Sequence, residues 1–174
     1  MKPRLVLIAA FDRNYLIAIS RGIPWRLPAD IAHFRERTQE KWLLVGRRTF
    51  DEMHGWFDQT HTPLVLSTRC GWDPPVGHIV SSVPHALALA ESAGQDEVVC
   101  CGGAQTYAAA LPFANKLVLT IVQHEFAADD GAAYFPKWDD AEWKIISERI
   151  HPADAENAHD FKIIELVHHR DAGH

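Results

Sequence analysis

Ile23-Pro24-Trp25-Arg26-Leu27-Pro28-Ala29-Asp30, with Phe34 one helical turn further on, places a single acid in apolar company where a helix begins. Pro28 fits the first turn, where its missing N–H costs nothing, and Asp30 then falls at the positive end of the helix dipole. Phe34 shares the face of Asp30 at a spacing of four residues. A carboxylate flanked by Trp25, Leu27 and Phe34 suits a flat aromatic ligand that offers paired N–H donors. The plainer alternative is a first-turn acid that only complements the dipole, worth at most ~1 kcal/mol at an exposed site.

On either side of this segment, short runs of Val, Ile and Leu alternate with helical patterns. That is the signature of an α/β domain with a central, mostly parallel, buried sheet and flanking helices. Strands are expected near residues 5–10, 42–46, 63–67, 78–81, 97–101 and 116–123, and helices near 28–38, 48–54, 83–93 and 104–111. Ser82 can cap the third helix, Pro84 is tolerated in its first turn and Gly94 stops it. Residues 142–149 and 159–167 read as two long strands joined by the polar loop 151–158, which makes a C-terminal antiparallel hairpin at the sheet's edge. One domain over residues 1–168 is expected, followed by a polar tail, 169–174, that needs no fixed structure.

Composition narrows the function classes. A chain of 174 residues can bury one real core, and its net charge, 17 basic minus 23 acidic residues or -6, comes with no basic run interleaved with aromatics. Nucleic acid is therefore not an expected partner, and no apolar stretch reaches membrane-spanning length. Met1-Lys2-Pro3-Arg4 carries a signal-like charge, but the apolar run after it ends at Asp12-Arg13-Asn14 with no convincing cleavage site, so residues 5–11 read as a buried strand. Three cysteines cannot all pair, and Cys100 and Cys101 alternate faces on one strand, which fits a reducing, cytoplasmic setting. Eleven histidines include no H-E-x-x-H and no neighbouring C-x-x-C, so no metal site is expected.

The segment I-P-W-x-L-P-A-D-x-x-x-F resembles the substrate-binding segment of the dihydrofolate reductase family. Further matches follow in order: residues 5–10 (LVLIAA), 43–50 (LLVGRRTF), 65–68 (VLST), 98–107 (VVCCGGAQTY), 116–120 (KLVLT) and 134–136 (YFP). The resemblance implies an NADPH-dependent reductase that transfers hydride to C6 of dihydrofolate while a proton reaches N5. It implies a cytoplasmic monomer acting on a small pterin or folate, with neither membrane nor nucleic acid as partner.

The resemblance also assigns residues. Catalysis falls to Asp30, Trp25, Tyr107 and Thr120: Asp30 holds the pterin's amino group and ring N–H, and Thr120 hydrogen-bonds Asp30. Trp25 places a water, and the Tyr107 hydroxyl lies near the nicotinamide. Ile8, Ala9, Ile31, Phe34, Arg35, His61 and Cys101 would join Asp30 and Thr120 around the substrate. For the cofactor, Gly102-Gly103 followed by Ala104-Gln105-Thr106 opens a helix toward a pyrophosphate, with a cis bond implied between the glycines. Gly46-Arg47-Arg48-Thr49 repeats that logic, with Arg48 and Thr49 on pyrophosphate and Arg47, Ser67, Thr68 and Arg69 around a 2'-phosphate. Ala10, Ile17 and Cys101 complete the cofactor contacts. A bare glycine pair usually marks only a turn, adjacent arginines can be a solvated face, Thr120 can be an ordinary strand threonine and Tyr107 a core aromatic.

The pattern breaks at one place that matters. Where the family puts an arginine on folate's glutamate tail, this chain reads Asp58-Gln59-Thr60-His61-Thr62-Pro63. A histidine cannot reproduce the planar two-point grip, and losing a charge-assisted pair costs ~1.5 to 3 kcal/mol. Either Arg35 or Arg37 takes the tail, or the preferred substrate is a dihydropterin without glutamate. A pyrimidine reductase of riboflavin synthesis and a catalytically weak nucleotide-binding module are the other readings, both disfavoured by the intact Trp25, Asp30 and Gly102-Gly103. Ala18 in the mobile loop 14–22, the long loop 127–133 and Ala158 at a usual hydroxyl position predict altered loop closure.

Overall fold

The computed structural model describes residues 1–53, 55–69 and 71–173; His54, Cys70 and His174 lie outside the described residues. Its centre is an eight-stranded sheet built from β1 (Arg4–Asp12), β3 (Trp42–Gly46), β4 (Thr62–Leu66), β5 (His78–Val80), β6 (Glu97–Gly102), β7 (Lys116–Val122), β9 (Trp143–His151) and β10 (Phe161–His168), in the order β5-β4-β3-β6-β1-β7-β10-β9. The first six strands in that order run parallel, and β10 is antiparallel to both β7 and β9. The expected parallel sheet and terminal hairpin are both present. Two short strands not expected from the sequence, β2 (Leu16–Ala18) and β8 (Ala133–Tyr134), form a separate pair.

Alternation along β1 explains the layering. Leu5, Leu7, Ala9 and Phe11 face one core with Ala86, Leu87 and Ala90 of helix α3 (Val83–Ser92) and Tyr107 of helix α4 (Ala104–Ala110). Val6 and Ile8 face the other with Leu27, Val99 and Val118, and Phe34 of helix α1 (Pro28–Thr38) packs against that cluster. Helix α2 (Arg47–Glu52) follows β3 directly. Strands buried on both faces are apolar along most of their length, so β1, β6 and β7 read as near-continuous apolar runs, broken by the buried Asp12 and Thr120.

Three features mattered less in the sequence than in the structure. Residues 169–171, expected in the tail, form a 3-10 turn whose Arg170 donates to the Ala114 carbonyl at 2.5 Å, while Asn115 donates to Asp171 at 3.0 Å. Strand β9 continues past residue 149 to His151, whose imidazole stacks on Phe161 at 4.6 Å. Between Ile145 and Ser147 the pairing with β10 shifts, so Ile146 is an extra, bulged residue in this edge strand.

Candidate active site

Parallel strands end where α/β ligand sites form, at the carboxyl edge of the sheet. Helix α1 starts there without a capping side chain of its own, since Leu27 occupies the cap position. Asn157, from the loop between β9 and β10, supplies the missing acceptor: its Oδ1 takes the Ala29 N–H at 3.1 Å, and Asp154 fixes the Asn157 amide in turn. Thr120 lies in register with Ala10, so a hydroxyl on β7 faces the first turn of α1. It donates to Asp30 Oδ1 at 2.6 Å. Burial pushes the Asp30 carboxyl above its usual range, with the Thr120 hydrogen bond opposing that rise. Among the described residues no other hydrogen bond reaches this carboxylate, which leaves Oδ2 free for a ligand.

Apolar surfaces enclose the acid. Trp25 is buried, with Phe126 tilted against it at 5.3 Å, and Phe34 meets Trp56 at 5.2 Å. Arg35 lays its guanidinium over the same indole at 4.1 Å, a cation-π contact that fixes a charge at the outer end of the aromatic wall. Ile31 is exposed on the helix. Arg37, the other candidate for the tail, is bound to Glu165 at 2.6 Å. Ala9 and Cys101 are buried at the strand ends, and the Tyr107 hydroxyl donates to the Ile8 carbonyl at 2.6 Å.

Two strand-to-helix junctions meet beside this cleft. At the first, Gly46 precedes α2; a Cβ there would sit 2.7 Å from Thr106 Oγ1. At the second, Gly102 and Gly103 are joined by the cis peptide that the sequence resemblance implied, and Gly102 has a φ of 108° that favours glycine. A Cβ on Gly102 would meet the Tyr107 ring at 3.0 Å, and one on Gly103 would meet Thr49 at 3.1 Å. The turns thus interlock through Thr49 and Thr106, and only hydrogen at the glycines permits the approach. First-turn N–H groups of a helix lack intrahelical acceptors, so Ala104, Gln105 and Thr106 offer donors at this junction. Arg47 lies over Trp72 at 4.3 Å, while Arg48 is exposed and near Glu52 at 3.3 Å. Ser67 caps the turn after β4 by accepting the Arg69 N–H, with Thr68 between them. These residues fit a dinucleotide bearing an extra phosphate: a backbone cradle, free donors and two nearby guanidinium groups.

His61 lies apart from that arrangement. Its Nδ1 accepts the Asp58 N–H at 3.1 Å and its ring stands edge-on to Phe57, so the imidazole is folded into its own turn. Ile17 lies on β2. The loop after β2 is tied down by Asp129, which accepts the Ser20 N–H at 3.0 Å and the Ser20 hydroxyl. Sequence reasoning missed Asp12, Asn157 and Trp56. Asp12 is fully buried and accepts N–H groups from Asn14, Leu16 and Phe126 at 2.8, 3.0 and 2.9 Å, tying the end of β1 to the loops on both sides of the cleft. An acid after an apolar run signals a strand end, and nothing local to it announces a third partner, Phe126, more than a hundred residues away. Among the described residues no three potential ligands converge on a metal position, and no helix is long and apolar enough to cross a membrane.

A mostly parallel sheet that sets a half-buried acid beside two interlocked glycine turns at its carboxyl edge places the protein in the class of α/β proteins with a nucleotide-type ligand site. Comparison with known proteins makes the assignment narrower. The dihydrofolate reductase family profile matches residues 4–168, and the chain belongs to that family. It is 34% identical over 164 residues to dihydrofolate reductase type 3 of Salmonella typhimurium, covering 94% of this chain and 98% of that relative. Dihydrofolate reductase of Bacillus subtilis is 31% identical over 157 residues, 90% of each chain. Among solved structures, dihydrofolate reductase from Enterococcus faecalis, complexed with NADP(H) and RAB-propyl, superposes with a TM-score of 0.85 at 25% identity, covering 95% of this chain and 96% of that one.

Proposed function

We propose that this chain reduces 7,8-dihydrofolate to tetrahydrofolate with NADPH, and that Asp30 is its one ionisable catalytic residue. The observation that carries the residue assignment is the 2.6 Å bond from Thr120 to Asp30, which leaves the second carboxylate oxygen without a hydrogen-bond partner among the described residues. That oxygen and its partner hold the pterin amino group and ring N–H as a charge-assisted pair, strengthened by low solvent access. When bound, NADPH supplies the hydride. Gly46, Arg48, Thr49 and the first turn of α4 hold its pyrophosphate, and Arg47, Ser67, Thr68 and Arg69 its extra phosphate. Trp25 closes the cleft and positions the water that brings the proton to N5, while Asp30 favours the protonated ring electrostatically. Ile8, Ala9, Ile31, Phe34 and Cys101 enclose the pterin, and Ala10, Ile17 and the Tyr107 hydroxyl border the nicotinamide. We read the protein as a cytoplasmic monomer, with Cys100 and Cys101 buried and free.

Arg35 grips the glutamate tail in place of His61. Two facts support this: His61 is engaged by Asp58, and Trp56 holds the Arg35 guanidinium on the wall that begins at Phe34. Following NADPH absorbance with dihydrofolate and with a tail-free dihydropterin tests both parts. Arg35→Ala should raise the dihydrofolate KM about tenfold or more, the value of one charge-assisted contact, and leave the dihydropterin KM in place. Equal KM values for the two substrates in the parent protein would favour the second reading, a reductase of tail-free pterins. Failure of dihydrofolate to oxidise NADPH at all would reject the activity itself.

A further inference from the structure

Arg47 opens helix α2 with no acid in the first turn, a place where the positive end of the helix dipole disfavours a cation. Its neighbour Arg48 is exposed and pairs with Glu52 at 3.3 Å. Arg47 is half-buried instead, and among the described residues no carboxylate stands within ion-pair distance of it. Its partner is an aromatic face. The guanidinium carbon lies 4.3 Å from the centre of the Trp72 indole, within the range of a cation-π contact.

Trp72 comes from the loop between β4 and β5, which also carries Ser67, Thr68 and Arg69. Gly71 before it has a φ of 79°, in the left-handed region, and Pro74 and Pro75 follow, so the backbone around the indole has few alternatives. The ring is partly buried against the core on the α1 face. Phe50 meets it in a T-shape at 6.0 Å and stacks on Phe57 at 5.4 Å. Arg47 and Phe50, three residues apart on α2, thus hold the same indole from one helical face.

A guanidinium resting on a ring uses its face, while its N–H donors lie in its own plane and stay available. A carboxylate partner would take those same donors. The indole therefore fixes the charge without consuming what a phosphate needs, and it removes beforehand part of the entropy cost of ordering a long side chain. We propose that Trp72 is a positioning residue that sets the preference for NADPH over NADH, by seating Arg47 with its donors free. This rests on the reading that Arg47 meets the extra phosphate of the cofactor. NADH has no such phosphate and gains nothing from the seat.

Calorimetric titration of the full chain with NADPH and with NADH tests the proposal. Arg47→Ala should weaken NADPH about tenfold or more and leave NADH nearly unchanged, the loss of one charge-assisted contact. Trp72→Leu should weaken NADPH about three- to tenfold, again sparing NADH, and Trp72→Phe should recover most of that loss. In the Arg47→Ala background Trp72→Leu should cost NADPH nothing further, since no guanidinium is left to position. Equal losses for NADPH and NADH, or losses that add in the double variant, would overturn the proposal. Arg47→Ala without effect on the ratio would instead overturn the placement of Arg47 at the phosphate, and this inference with it. If Trp72→Leu fails to fold in a thermal melt, the parent chain decides: the indole ring current should hold the Arg47 Nε–H resonance upfield both without cofactor and with NADPH bound. An upfield shift that is absent, or lost on binding, would show the guanidinium off its seat and end the proposal.

Discussion

Asp30 is held in two opposing ways. Burial raises its pKa while the Thr120 hydroxyl lowers it, and burial wins. A folded-state pKa above the unfolded value means that the folded protein binds the proton more tightly. The stability linked to that proton is full below the ordinary carboxyl value of 3.8 and is lost as pH rises through the higher folded value. Asp30→Asn keeps an acceptor for Thr120 and removes the buried charge. It should melt higher than the parent at neutral pH, with the difference vanishing in acid, while kcat/KM for dihydrofolate falls about 10²-fold to 10⁴-fold. Thermal melts across pH and steady-state rates check the two halves, and a variant less stable at neutral pH would contradict the assignment of burial as the dominant effect. Tyr107 offers a simpler case, since removing its hydroxyl leaves the Ile8 carbonyl without that partner in the core. Tyr107→Phe should lose about 1 to 3 kcal/mol in denaturant unfolding.

At the scale of elements, the two cofactor turns act on each other. A methyl group on Gly46 would collide with the Thr106 hydroxyl, so Gly46→Ala should weaken NADPH binding and cost about 1 to 3 kcal/mol through overpacking. Thr106→Ala in the same chain should recover part of both, a coupling that a double-mutant cycle measures directly. The loop after β2 depends on Asp129, whose pKa is lowered chiefly by the Ser20 hydroxyl and the Ser20 N–H. A depressed pKa means that the tie is present above 3.8 and is lost as pH falls through the folded value. Asp129→Asn should speed hydrogen exchange of residues 16–22 at neutral pH; unchanged exchange there would show that the loop is held by other contacts.

Elements of this kind were legible where their cause is local. The bounds of α1 and β3 follow from Pro28 and from an apolar run ended by Gly46, and the start of α3 from Ser82, whose hydroxyl does accept the His85 N–H. Strands β2 and β8 were not legible, because two or three residues carry no periodicity and their pairing spans more than a hundred positions. The site shows the same division. Asp30 and the glycine pair announce themselves in short motifs, whereas the Asn157 cap, the Asp12 knot and the Trp56 seat for Arg35 exist only after distant segments meet.

At the scale of the whole molecule, an open sheet has two borders, and each is blunted differently. One border, β5, is only three residues long. The other, β9, runs nine residues and exposes Ile145, Ile146 and Ile150, a combination that invites pairing with another chain. The bulge at Ile146 interrupts it. Deleting Ile146 would leave Trp143 opposite His168 and make the ladder regular, so the variant should self-associate in sedimentation velocity at concentrations where the parent does not. The irregularity has a further effect that no single molecule reveals. Because its longest free border is crooked, one copy is a poor template for the next, and a concentrated solution of the protein should stay dispersed where a straightened version would polymerise.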